Sequence, residues 1–118
     1  MKNLIWLADS RANVKSFPAA VQDIIGYALY VAQLGEMSAN AKPLHGFGSG
    51  VMEIAAHDAS GTYRAVYTVS IGDSIYVVHA FQKKSKAGIA TPKSEMELAG
   101  QRLKQLRIEV RNVEKKKS

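Results

Sequence analysis

Residues 63–71 and 74–82 constrain the fold most, because two runs of strand-forming residues are separated by only Gly72 and Asp73. In the first run Tyr63, Ala65, Tyr67, Val69 and Ile71 alternate with Arg64, Val66, Thr68 and Ser70. That two-residue period predicts a strand with one apolar face. Gly-Asp suits a two-residue hairpin, so the runs are expected to pair antiparallel. Residues 51–57 read as a strand too, ended by the turn Asp58-Ala59-Ser60-Gly61, and complete a three-strand meander. Residues 3–7 (Asn-Leu-Ile-Trp-Leu) predict a first strand near the start of the chain.

Helical signals flank this sheet. Pro18 opens a segment with Ser16 as its cap, and Val21, Ile24, Ile25, Ala28 and Ala32 recur at helical spacing until Gly35 ends it. Residues 37–50 read as a long loop, since Pro43 and three glycines oppose regular structure. Residues 83–90 form a polar loop. Thr91 then caps a last helix with Pro92 at its first position, and Met96, Ala99, Leu103, Leu106 and Val110 make one narrow apolar stripe. Arg102, Lys104 and Arg107 fall on other faces. The expected fold is α+β, a small, mostly antiparallel sheet with an N-terminal helical segment and a C-terminal helix, the helices packed on one face. Residues 1–110 make the single domain, and 111–118 a disordered basic tail.

A chain of 118 residues fits one domain with one core. The absence of cysteine excludes a disulfide framework, a thiol nucleophile and a thiolate zinc site. No run approaches the ~20 apolar residues that span a bilayer, and residues 1–10 do not read as a signal peptide. A cytoplasmic protein with no membrane partner is expected. Charge is unevenly spread: residues 1–81 carry a net −1 and residues 82–118 a net +7. Such asymmetry points to an anionic partner, whereas the bland reading is a solvated helix with a lysine tail.

Gly46, Gly48 and Gly50 alternate, but no Lys-Ser/Thr follows and a strand comes next, which argues against a phosphate-binding P-loop. A flexible lead-in to the strand at Val51 is the better reading. His45, His57 and His79 show no metal-ligand spacing with Glu53, Asp58 or Asp73, so no metal and no cofactor are expected. His79 is either a half-buried strand histidine or part of a site. Arg64 either pairs with Glu53 or Asp58, or projects its planar fork toward phosphate oxygens. Lys83, Lys84 and Lys86 leave the adjoining strand, and with Arg64 they would make an electropositive pocket suited to a polyphosphate backbone.

Four ordered stretches carry a family resemblance: Lys42-Pro43-Leu44-His45-Gly46; Gly50-Val51-Met52-Glu53-Ile54; Gly61-Thr62-Tyr63-Arg64-Ala65-Val66-Tyr67; and His79-Ala80-Phe81-Gln82-Lys83-Lys84-Ser85 followed by Thr91-Pro92. Over about residues 20–107 the chain resembles the RelE/ParE toxin superfamily, in its phage-derived HigB-like branch. The resemblance implies a RelE-like fold and a ribosome-associated endonuclease of messenger RNA. It also implies neutralisation by a cognate antitoxin, usually a helix-turn-helix protein. The chemistry implied is metal-independent attack by the substrate's own 2′-hydroxyl. Arg64 would then stabilise transition-state charge and Lys83 would help the leaving oxygen, with Lys84 and His79 as secondary catalytic candidates. Lys42, Lys86, Arg102 and Lys104 are the candidates for RNA contacts. Two other readings of the resemblance are a ParE-like inhibitor of DNA gyrase and a non-catalytic RNA- or ribosome-binding module. The chain departs from RelE proper where that branch has strand lysines; here Glu53 and Ala55 stand, leaving Glu53 and His57 as the candidate bases.

Overall fold

The computed structural model describes residues 1–83 and 93–117. In chain order the elements are β1 (Asn3–Trp6), α1 (Ser10–Lys15), α2 (Ala19–Gln33), β2 (Ala41–Pro43), β3 (Val51–Asp58), β4 (Gly61–Thr68), β5 (Ser74–Lys83) and α3 (Lys93–Lys117). The expected meander is present, with β3, β4 and β5 pairing antiparallel. β1 pairs parallel to β5 and β2 lies beside β3, giving the sheet order β1-β5-β4-β3-β2.

The helices do not share a face. One core is α1 and α2 against the sheet: Val14, Phe17, Val21, Ile25 and Leu29 meet Ile54, Tyr63, Ala65, Tyr67, Ile75 and Val77. The other is α3 against the opposite face, where Ala99, Leu103 and Leu106 pack on Val51, Val66, Ile71 and Val78. This corrects the one-face expectation, and the reason lies in β4 and β5. Val66 faces α3 while Ala65 faces α2, so both faces of β4 are apolar and both need cover. Ile71 joins the α3 side and not the face of Tyr67, because regular alternation stops with β4 at Thr68. The stripe on α3 is as expected, with Leu103 1% exposed at its centre. Leu103→Ala is expected to lower unfolding free energy by about 2–5 kcal/mol, read by denaturant titration.

Other local signals resolve differently. Ser16 caps the C-terminus of α1, a helix the sequence reading lacks, and its Oγ donates to the Asn13 carbonyl at 2.6 Å. Pro18 takes the N-cap position of α2. At the other end of α2 the expected stop holds. Gly35 adopts φ +86, its N–H donates to Ala32 O and the N–H of Glu36 to Val31 O, the paired bonds of a Schellman cap. The loop 37–50 contains the short edge strand β2. The C-terminal helix runs on to Lys117, so residues 111–117 are helical where a disordered tail is expected. Thr91 and Pro92 lie outside the described residues.

One irregularity positions the site. Val66 is in register with His79 but Tyr67 with Val77, so β5 carries one extra residue, Val78. This β-bulge turns Val78 and His79 toward α3 together, and it leaves the Val78 carbonyl out of the ladder.

Candidate functional site

Beside the first turn of α3, the α3-side face of the sheet opens into a cleft. Register sets its members: Lys42 opposite Glu53, Ala55 opposite Arg64, Arg64 opposite Phe81, and Thr62 opposite Lys83. Arg64 and Lys83 are thus diagonal neighbours on adjacent strands, a relation that brings long side chains within reach of each other. The small Ala55 beside Arg64 leaves space over the guanidinium.

Glu53 sits beneath this surface, only 3% exposed, with both cations on one of its oxygens. Arg64 Nη1 donates to Glu53 Oε1, and Lys42 Nζ lies 4.0 Å from the same atom. A buried carboxylate is stable only when paired, and this pair meets that need. The guanidinium has five donors, yet among the described residues Arg64 Nε is buried without a hydrogen-bond partner. The cleft above them, about 590 Å³, is open to solvent and is also lined by Leu44, His45 and Met96. Of the two sequence readings for Arg64, pairing with Glu53 is present, and the fork still has donors for a second anion.

His79 occupies a different place. Arg102 Nη1 lies 3.1 Å from His79 Nδ1 and donates to the bulge carbonyl of Val78 at 3.1 Å. Since the guanidinium can only donate, Nδ1 must accept, and the ring proton belongs on Nε2, 3.1 Å from Glu95 Oε2. Arg102 Nη2 reaches Asp9 Oδ1 at 2.8 Å. Burial pushes the Asp9 carboxyl up, but the Arg102 hydrogen bond and charge outweigh it and hold it below its ordinary range. The Asp9 contribution to stability is therefore full above the unfolded value and is lost as pH falls through the lower folded one. The network ties β5, α3 and the β1–α1 connection together. Its polar groups are occupied with one another, so His79 and Arg102 hold the fold around the cleft and do not line it.

The remaining candidates divide. Lys83 ends β5 on the Arg64 face, and Lys104 is exposed on α3. Lys84 and Lys86 lie outside the described residues. His57 is exposed, its Nδ1 2.9 Å from Thr62 Oγ1, whereas Glu53 is in the cleft itself. Among the described residues no three His, Asp or Glu side chains are grouped to hold a metal ion. No described helix is long and apolar enough to cross a membrane. The sequence reading missed Glu95 and Asp9 as members of the His79 network; neither has a local motif that marks it.

No curated protein matches the chain. Residues 12–104 match the family described as phage derived protein Gp49-like (DUF891), a span that takes in α2, the whole meander, the cleft and the first half of α3. With that match covering most of its length, the chain belongs to the phage-derived Gp49-like family, a family of RelE-like toxins.

Proposed function

We propose that the protein is the toxin of a type II toxin–antitoxin pair and that it cleaves messenger RNA on the ribosome. One observation carries this reading: a single cleft gathers a carboxylate, Glu53, with the cations Lys42 and Arg64, and Lys83 stands on the same sheet face. In-line attack by a 2′-hydroxyl needs a base, charge stabilisation at phosphorus and an acid. Glu53 takes the 2′-hydroxyl proton through Oε2, since both cations contact Oε1. The 2′-oxygen bonds to phosphorus, Arg64 neutralises the charge growing on the phosphoryl oxygens, and the bond to the 5′-oxygen breaks. Lys83 gives the leaving oxygen its proton. The products are a 2′,3′-cyclic phosphate and a 5′-hydroxyl. Lys42 meets a neighbouring phosphate, and Lys84 and Lys86 continue the cationic run. The family supports an antitoxin partner, and a helix-turn-helix protein is the form proposed for it.

Incubating the protein with translating ribosomes and mapping RNA ends tests the reading. New 5′-hydroxyl ends within messages are expected. Intact messages beside blocked supercoiling by DNA gyrase would replace it with the gyrase-inhibitor reading.

A further inference from the structure

A second basic cleft lies further along α3, away from Glu53 and Arg64. Residues 44–50 and 69–73 meet there, joined by Ser70 Oγ donating to Ser49 O and Val69 N–H to Gly50 O, both at 2.9 Å. Arg107 and Arg111 come down from α3 over Gly48, Ser49, Ser70 and Gly72. Backbone conformation favours glycine at both Gly48 and Gly50, and at Gly50 close packing does too. Gly48 has φ +95, and a Cβ there would lie 2.8 Å from Arg107 Nη2. A Cβ at Gly50, φ +75, would overlap the Ser70 side chain.

Arg107 Nη2 donates to Phe47 O at 2.6 Å, which anchors the guanidinium at the cleft with other donors still available. Among the described residues, the amides of Gly48, Ser49, Ser70 and Gly72 donate to no backbone carbonyl. Backbone N–H groups without acceptors beside two guanidinium forks have the composition of an anion-binding concavity. Glu114 lines the same cleft, so its three charged side chains leave an excess of one positive charge.

We propose that this cleft binds a backbone phosphate of single-stranded RNA, on the strand that enters the Arg64 cleft; the assignment rests on the RNA reading above. One segment of the chain links the two clefts. Leu44 and His45 line the first, Gly48 and Ser49 the second, so residues 44–50 run between them. On α3 the corresponding residues, Met96 and Arg107, are separated by about 17 Å of helix rise. That is a span for a short stretch of extended strand and not for one phosphate. The glycine loop then acts as a saddle whose backbone holds the sugar-phosphate chain without reading bases. This contact fixes the register of the strand against Arg64 and gives no sequence preference of its own.

The test uses the full chain and a fluorescent single-stranded RNA whose 2′-hydroxyls are methylated, so that it binds without reacting. Arg111 is exposed, and its substitution is expected to leave the fold intact. Arg111→Ala should lower the slope of log affinity against log salt by about one phosphate's worth. Arg111→Glu should weaken binding about tenfold or more, and Glu114→Gln should tighten it. Separately, inorganic phosphate should shift the amide resonances of Gly48, Ser49 and Gly72. Unchanged affinity and salt slope in both Arg111 variants would overturn the subsite, even with cleavage at Arg64 established. Phosphate shifts without Arg111-dependent RNA binding would overturn the RNA assignment. Arg111-dependent RNA binding by a protein that cuts no message would sustain the subsite and remove the endonuclease reading.

Discussion

Arg64→Ala is expected to reduce RNA cleavage by about 10²–10³-fold, the usual consequence of removing a donor aimed at developing transition-state charge. Single-turnover cleavage on programmed ribosomes measures it, with loss of growth arrest as the cellular readout. The substitution also leaves Glu53 buried with only the exposed Lys42 nearby, so some stability is lost, on the order of 1–3 kcal/mol. Adding Glu53→Gln should restore much of that stability without restoring activity. Arg64→Lys keeps the charge but not the planar fork, and an intermediate rate is expected. Glu53→Gln alone tests the base: it preserves shape and hydrogen bonding to Arg64 while removing proton affinity. Wild-type cleavage by Arg64→Ala would remove this cleft as the reaction site.

Arg102→Ala carries the second large effect, on stability. It strips a donor from the bulge carbonyl of Val78, leaves His79 Nδ1 without its partner and releases Asp9. Exposed ion pairs contribute little, so the Asp9 arm adds a small share. The two buried acceptors dominate, and a loss of about 2–3 kcal/mol is expected, with the melting temperature falling on the order of 10 °C. A double-mutant cycle should show strong coupling between Arg102 and His79 and weak coupling between Arg102 and Asp9. Arg102→Lys should recover only part, because an ammonium cannot bridge the two acceptors with a rigid fork. Equal stability of Arg102→Ala and wild type would mean that water replaces every bond the guanidinium makes.

Family membership and cleft together narrow what the positive C-terminal half does. Arg102, on charge alone a candidate for RNA, is engaged inside the fold. Arg107 is anchored to Phe47, and Arg111 is exposed beside the glycine loop. The surface cations of α3 therefore differ in role although they differ little in sequence. Their neighbours across the sheet, not their own segment, set the distinction.

Local chemistry was readable in the chain. The Tyr63 to Tyr67 alternation marks β4 and its pairing with β5, although β4 ends at Thr68 and residues 69–73 make the connection where a two-residue turn is expected. Gly35 stops α2, and the α3 stripe at Ala99, Leu103 and Leu106 is the one that packs. Each rests on neighbours a few residues apart, where backbone sterics and periodicity act directly. The choice of face for each helix, the bulge at Val78, the Glu53–Arg64 pair and the Arg102–His79–Glu95 chain were decided only by tertiary structure. The Glu53–Arg64 pair depends on β3–β4 register. The bulge and the histidine chain need β5 to meet a helix that follows it in the chain. Whether a given arginine binds an anion or props up a carbonyl depends on which acceptor lies within about 3 Å, and sequence separation carries no measure of that distance.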